Sequence, residues 1–297
     1  MKEFYDSCDW LGRTGPFNDF LEYKLFYLLF AAAAIFAVIF LVKKKNPKLT
    51  KIALITIWVI NLVFDMFKLY GLSLDGNFNV GGDMLLYICS LFLYAMPFAL
   101  WGKEKLKNIA CTFICTIGLF GAIMNFAFPG VIDSNSLFSF WGIHTTVYHL
   151  NLLLVPAIMI ATGYFKVNWR NFGWAFLFFF IMTIPALFFN FMADTDWMYL
   201  KYGYGLPFPF VSSITQVSTT LWTLIAYVGY ALIQALLLVL IWGIGKLVEK
   251  IKAKIVSKKA AKNQVEETPK QEVTPETTVE VEPEKPAKAL KPQKSKR

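Results

Sequence analysis

The chain has 297 residues, of which 57% are hydrophobic and 16% are charged, and its formal net charge is +9. This composition excludes an ordinary soluble domain of the same length, which would carry more charge and fewer apolar residues. Because the basic residues lie beside apolar segments, we expect membrane lipids as partners, with anionic headgroups at the cytoplasmic face and no nucleic acid.

Seven apolar segments follow one another along the chain, and each is long enough to cross a bilayer as an α-helix, which takes about 20 residues. In chain order, we predict spans over residues 23–42, 52–71, 84–101, 108–128, 144–164, 171–193 and 215–245. The predicted fold class is therefore all-α, a polytopic membrane helix bundle of seven transmembrane helices.

Charge alternates between successive loops and predicts the orientation of the bundle. Lysine or arginine residues follow the first, third, fifth and seventh predicted spans, whereas aspartates predominate in the other loops. Positively charged loops stay in the cytoplasm. The pattern therefore places the N-terminus outside and the C-terminus inside, in a multi-pass protein of the cell membrane.

Composition also divides the chain into four segments. We expect residues 1–22 to form an extracytoplasmic segment and residues 23–245 to form the transmembrane domain. Residues 246–262 are predicted to continue as a basic juxtamembrane helix. Residues 263–297 contain no aromatic residue and are rich in Glu, Pro, Thr and Lys. Such a segment buries too little apolar surface to fold, and we expect a disordered cytosolic tail.

The second predicted span contains three polar residues, Asn61, Asp65 and Lys68. Their spacing of i, i+4 and i+7 places them on one helix face. That face must point into the bundle or a wet cavity, because an ionised carboxylate facing lipid is strongly disfavoured. The sequence leaves open whether Asp65 pairs with Lys68, as a packing contact, or with His149.

Cys89 in the third predicted span and His149 in the fifth lie at the same depth as Asp65. At 1.5 Å per residue, all three are about 8 to 9 Å below the outer ends of their spans. Taken singly, a buried cysteine is usually an apolar filler, and a lone histidine bonds to a neighbouring helix. Together, the three residues predict a polar pocket in the outer half of the bilayer.

Other polar residues near this layer are candidates for binding a substrate. They are Lys68, Asn61, Asn125, His144 and Asn190. The two histidines are about 140° apart around their helix, which does not suit a shared metal ion, and we expect no metal and no cofactor.

A cysteine, a histidine and a carboxylate can together perform acyl transfer. The histidine accepts the thiol proton, the thiolate attacks a carbonyl, and the carboxylate orients the imidazole. In a membrane the attacked group would be a fatty acyl ester. This hypothesis assigns Cys89 as the nucleophile, His149 as the base and Asp65 as the residue that orients it.

Four stretches of the sequence resemble the YwaF family of bacterial integral membrane proteins. Met84-Leu-Leu-Tyr-Ile-Cys-Ser-Leu-Phe-Leu resembles its "LHLCSLSLFL" segment, and Gly121-Ala-Ile-Met-Asn resembles its "GAIQA" stretch. Tyr148-His149, with Pro156 after an apolar run, resembles its "FxxFxxSHG" helix, and Asp196-Trp-Met-Tyr-Leu resembles its "NYMYL" segment. The resemblance extends over most of residues 23–245.

That family is similar to the transmembrane protein 164 family of eukaryotes, which is described as transferring acyl chains between phospholipids through a cysteine and a histidine. The resemblance implies that Cys89 accepts the acyl chain and that His149 is its base. Two positions depart from the pattern: Tyr87 stands where the bacterial proteins have histidine, and Asn151 falls near a glycine.

Two functions without catalysis remain as alternatives. The first is a binding or transport protein that holds a lipid or small solute in the polar pocket and needs no thiol. The second is an assembly partner that acts through the charged tail.

Overall fold

The computed structural model describes residues 21–74, 76, 78–127, 137, 140–203, 206, 208 and 210–266. Nine α-helices lie in this part of the chain: α1 (Leu21–Lys44), α2 (Pro47–Leu74), α3 (Leu91–Trp101), α4 (Glu104–Phe113), α5 (Leu119–Ala127), α6 (Phe140–Ala161), α7 (Phe172–Met192), α8 (Phe210–Val217) and α9 (Thr219–Glu266). The regular structure of the described residues is entirely helical, which confirms the predicted all-α class.

Six segments of the described chain are long and apolar enough to cross a membrane, and all six correspond to predicted spans. They are Leu21–Lys44, Pro47–Leu74, Glu104–Ala127, Phe140–Ala161, Trp169–Met192 and Thr219–Leu247. Large apolar side chains on their outer faces are exposed, including Phe36, Phe191 and Leu232. The structure thus supports a multi-pass membrane protein, in which lipid covers these faces.

The third predicted span differs, because only its second half is a helix. Residues 84–90 form turns, and α3 begins at Leu91. Non-helical backbone is tolerated at membrane depth where it is buried in protein and its polar groups are paired. The Cys89 carbonyl, for example, accepts hydrogen bonds from the Phe92 nitrogen and the Tyr148 hydroxyl. The seven-crossing count and the outward N-terminus remain predictions.

Helix α3 lies at the centre of the hydrophobic core, next to α2 and α4. Its Phe92 and Met96 side chains are fully buried, together with Phe113 of α4 and Phe179 of α7. The rings of Phe113 and Phe179 stack with their centroids 6.1 Å apart. These contacts fix α4 against α7, while α2 packs separately against α6.

Helices α4 and α5 are joined by a π-helical turn, Ile114–Gly118, which the apolar periodicity did not predict. The Thr116 hydroxyl donates to the Thr112 carbonyl over 2.6 Å. This bond pairs a carbonyl at the point where the helical hydrogen-bond pattern changes.

The chain divides into two compact units, residues 1–246 and 247–297. Helix α9 continues through Glu266, so the stretch predicted as a juxtamembrane helix is helical. The predicted extracytoplasmic segment, apart from its last two residues, and the predicted tail beyond Glu266 lie outside the described residues.

Candidate functional site

A buried polar contact between two spans joins Asp65 of α2 to His144 of α6. The Asp65 Oδ1 atom lies 2.8 Å from the His144 Nε2 atom, and the two residues are only 2% and 8% exposed. Because an ionised carboxylate only accepts, this contact assigns the proton to Nε2. The other polar atoms of the pair, Asp65 Oδ2 and His144 Nδ1, are buried and have no hydrogen-bond partner among the described residues.

Aromatic rings enclose this pair. The His144 imidazole stacks on Tyr148 at 5.6 Å and 27°, and Phe140 lies 5.7 Å away on the same helix. Phe64 of α2 approaches edge-on. An apolar surrounding of this kind strengthens the charge-assisted hydrogen bond and excludes water from it.

The three residues predicted to share a face of α2 each contact α6. Asn61 Oδ1 accepts from Asn151 Nδ2 over 2.7 Å, and the Lys68 ammonium lies 5.6 Å from the Trp141 ring. With the Asp65 contact, they form a polar seam between α2 and α6. The sequence left open whether Asp65 pairs with Lys68 or His149. In the structure its carboxylate contacts neither of these candidates but His144.

Cys89 lies on the turn that precedes α3, and two other helices hold that turn in place. Its backbone carbonyl accepts from the Tyr148 hydroxyl of α6 over 3.3 Å. On α5, a Cβ atom added at Gly121 would lie 3.3 Å from the Cys89 nitrogen, so a larger residue there would have to displace the turn slightly. Cys89 as a residue is partly buried, and it forms no disulfide with another described cysteine. The role of Tyr148 was not predicted from the sequence, where the neighbouring His149 was the only signal for it.

His149 is oriented by its own helix. Its Nδ1 atom lies 2.8 Å from the Thr145 carbonyl oxygen, and its ring meets Phe126 of α5 edge-on. Because a carbonyl only accepts, Nδ1 carries the proton and Nε2 keeps the lone pair of a base. The Thr145 carbonyl therefore accepts the hydrogen bond that orients His149, while Asp65 holds His144. Within the described part of the chain, no three His, Cys, Asp or Glu side chains are grouped as a metal site.

The two remaining candidate residues differ in their contacts. The Asn125 Nδ2 atom is buried without a partner among the described residues. Asn190, at the end of α7, instead organises the loop that follows: its Oδ1 accepts from the Trp197 nitrogen and the Thr195 hydroxyl, and its Nδ2 donates to the Trp197 carbonyl. Both polar atoms of the Asn190 side chain are therefore bonded to the loop.

The loop of residues 193–203 folds back over the bundle beside Cys89. Trp197 is fully buried, and its ring lies 4.5 Å from the ring of Tyr87, two residues before Cys89. Met198 and Tyr199 both have positive φ angles, 58° and 57°, which non-glycine residues rarely adopt. Three side chains of α9 hold the loop carbonyls in place, namely Tyr230, Trp222 and Thr223.

The exposed part of this loop carries an ion pair. Asp194 accepts hydrogen bonds from the Lys201 ammonium and from the Tyr202 hydroxyl. These hydrogen bonds lower the pKa of the Asp194 carboxyl, and the same ion pair raises the pKa of Lys201.

Comparison with known proteins places this arrangement in a family. A sequence model of the TMEM164 family matches residues 18–246. The chain belongs to the TMEM164 family. The matched region includes the polar seam, the Cys89 turn and the 193–203 loop, and it ends within α9. No curated protein and no solved structure matches the chain. The resemblance to the transmembrane protein 164 family is therefore confirmed, and the narrower likeness to the YwaF proteins is compatible with it.

Proposed function

We propose that the protein is a membrane-embedded acyltransferase that moves a fatty acyl chain between lipids through a thioester on Cys89. The observation that carries the proposal is the placement of Cys89 in the region shared with the TMEM164 family. Cys89 is a partly buried residue on a turn that contacts α5 and α6, and it forms no disulfide with another described cysteine. A thioester intermediate needs a free thiol that a lipid ester can reach and that bulk water reaches poorly.

In the proposed reaction, the His149 Nε2 atom accepts the thiol proton as the thiolate attacks the ester carbonyl carbon. The C–O bond of the ester breaks, and the leaving lysophospholipid alkoxide takes that proton from the imidazolium. The acyl chain is then on the Cys89 sulfur. The hydroxyl of a second lipid gives its proton to His149 and attacks the thioester, and the C–S bond breaks. The thiolate recovers the proton from the imidazolium.

The Asp65–His144 pair has a positioning role in this proposal. It joins α2 to α6, and α6 carries both Tyr148, which holds the Cys89 turn, and His149. Its unpartnered His144 Nδ1 atom is a second candidate for the base. Asn61, Lys68 and Asn125 supply polar groups for a substrate headgroup in the pocket.

The proposed orientation places the N-terminus outside and the C-terminus inside the cell membrane. The turn and helix of residues 84–101 then count as the third of seven crossings. The charge alternation of the loops supports this arrangement. The Cys89 turn follows the outer loop after α2 and would lie in the outer half of the bilayer, where it meets membrane phospholipids.

The test uses purified full-length protein and a phospholipid radiolabelled in its acyl chains. We expect a protein-bound label that neutral hydroxylamine releases, as it does for thioesters. Cys89→Ala should abolish the label, and His149→Gln should slow its formation by about 100-fold or more, the contribution of a general base. His144→Gln tests whether His144 or His149 is the base, because the label should form much more slowly only when the base is replaced.

The matched control is Cys115→Ala, which removes a fully buried thiol in the π-helical turn and should keep the label. Folding of each variant is checked by its thermal unfolding. A folded Cys89→Ala protein that still acquires a hydroxylamine-sensitive label would refute the proposal.

The polar seam favours a second candidate function, because it involves no thiol. In that case the protein binds or transports a lipid or small solute through the Asp65–His144 and Asn61–Asn151 contacts. Lipid turnover would then be absent in the wild type, and Asp65→Asn would weaken ligand binding where Cys89→Ala would not.

A further inference from the structure

A polar cleft of about 680 Å³ lies at the end of the bundle where the α3–α4 and α6–α7 connections meet. It is formed by chain segments that the proposed acyl transfer does not use. The charged and amide side chains that line it are those of Lys107, Lys166, Glu104, Asn108, Asn168 and Asn171.

The walls of the cleft are fixed by specific contacts. The Tyr164 hydroxyl donates to the Ala99 carbonyl over 2.9 Å, which joins the end of α6 to α3. The Lys107 ammonium lies 3.7 Å from the centroid of the Tyr164 ring, a cation–π contact that holds it at the cleft. Gly163 has a φ of 72°, which lets the chain turn back after α6. The cleft is therefore formed before any ligand enters.

The lining of the cleft suits an anion with several oxygen atoms. The lining contains two ammonium groups and one carboxylate, so the cleft has a net positive charge. The amide groups of three asparagines add neutral donors, and the Asn171 side chain makes no capping bond to α7. Ammonium and amide N–H groups are the donors that bind phosphate oxygens. The first turns of α4 and α7 begin at the same end, and their positive dipoles add to this preference.

The position of the cleft indicates where the phosphate comes from. The segments that can cross the membrane begin at Glu104 and Trp169 and end at Ala161, so the cleft lies at the depth of lipid headgroups. Beside it, the Lys105 ammonium lies 4.3 Å from the Trp174 ring, a pairing of residues typical of the membrane interface. At the other end of α7, a cleft of about 500 Å³ is lined instead by Asp194 and Asp196.

We propose that this cleft binds the phosphate of an anionic phospholipid headgroup, with Lys107 and Lys166 as its cationic ligands. The amide groups of Asn108, Asn168 and Asn171 bind the remaining headgroup oxygens. Glu104 at the same cleft opposes the anion and limits its affinity. The site does not depend on Cys89, so it stands or falls separately from acyl transfer.

The experiment measures retention of phosphatidylglycerol by full-length protein in detergent, using native mass spectrometry, with phosphatidylcholine for comparison. Lys107→Met and Lys166→Met keep the apolar stems and remove the charges. Each should weaken phosphatidylglycerol retention about fivefold, as the loss of one basic contact to an anionic lipid does. Glu104→Gln should strengthen retention, because it removes the opposing charge. Phosphatidylcholine should bind more weakly to all forms.

The matched control is Lys105→Met, which removes a neighbouring positive charge that packs on Trp174 outside the cleft. Phosphatidylglycerol retention should stay close to wild type. Equal losses for the Lys105 and Lys107 variants would indicate a diffuse charge effect and refute a discrete site. Inorganic phosphate is added in a separate arm. If millimolar phosphate displaced the lipid, the cleft would be a site for free phosphate, and the lipid assignment would be overturned.

Discussion

His144 donates a hydrogen bond from Nε2 to the Asp65 carboxylate across 2.8 Å, and this contact joins α6 to α2 inside the membrane region. It is the centre of the polar seam, with the Asn61–Asn151 bond on the same pair of helices. Because the carboxylate and the imidazole are almost completely buried, each depends on the other for a polar partner.

Asp65→Ala is expected to destabilise the protein strongly, by about 3–5 kcal/mol, the cost of removing one partner of a buried pair. Asp65→Asn should cost less, because the amide oxygen still accepts from Nε2. Thermal unfolding in detergent measures both. Asp194→Ala is the control, since its carboxylate is exposed and its loss should leave the midpoint nearly unchanged. An unaltered midpoint for Asp65→Ala would contradict the seam.

Gly121→Ala is expected to displace the Cys89 turn. The added methyl group would lie 3.2 Å from the Ile88 Cγ2 atom and 3.3 Å from the Cys89 nitrogen, closer than ordinary contact. Acyl labelling of Cys89 should therefore fall. Gly229→Ala is the matched control, because nothing lies within 4 Å of the added atom. It should raise stability by up to about 1 kcal/mol through helix propensity and leave labelling unchanged. Equal labelling in both variants would exclude the predicted displacement.

Replacement by alanine is expected to lower stability at Asn190 but to change it little at Asn125. Asn190→Ala leaves the buried Trp197 nitrogen without its acceptor, and each buried donor left unpaired costs about 1–3 kcal/mol. Asn125→Ala removes an amide that is already unpaired and should be close to neutral in stability. Thermal unfolding of the two variants side by side checks the contrast. An unchanged midpoint for Asn190→Ala would mean that the loop does not depend on Asn190.

The ordering of the 193–203 loop is expected to depend on pH through Asp194. Its folded pKa is lowered by the hydrogen bonds from Lys201 and Tyr202. The contribution is therefore complete above the ordinary Asp pKa of about 3.9 and is lost as the pH falls through the lower folded value. Amide hydrogen exchange of the loop, corrected for the intrinsic pH effect, should rise in this acid range. In Asp194→Asn the pH response should disappear; if it persisted, another group would be responsible.

Helical periodicity explains which parts of this arrangement were predictable. The common face of Asn61, Asp65 and Lys68 follows from their spacing alone, and all three contact α6 as that face requires. The all-helical class and the membrane-family assignment followed from apolar segments and short motifs. These are local properties of the sequence.

The partners across the seam were not predictable, because the rotation of one helix against another depends on packing between distant segments. His144 was predicted at the outer end of its span, and only the packing of α6 on α2 brings it to Asp65. The apolar run of residues 84–101 likewise does not distinguish a helix from buried turns. The carbonyl contact from Tyr148, 59 positions further along the chain, pairs one of the groups left by those turns.

Met198 and Tyr199 have a mechanical consequence. Left-handed backbone costs roughly 1–2 kcal/mol per non-glycine residue, and the hydrogen bonds from Tyr230 and Trp222 hold both residues there. A shift of α9 along its axis would pull on these carbonyls and move Trp197 against Tyr87. Motion of α9 would thus be transmitted to the Cys89 turn. The position of the last helix would therefore set how tightly the 193–203 loop packs against that turn.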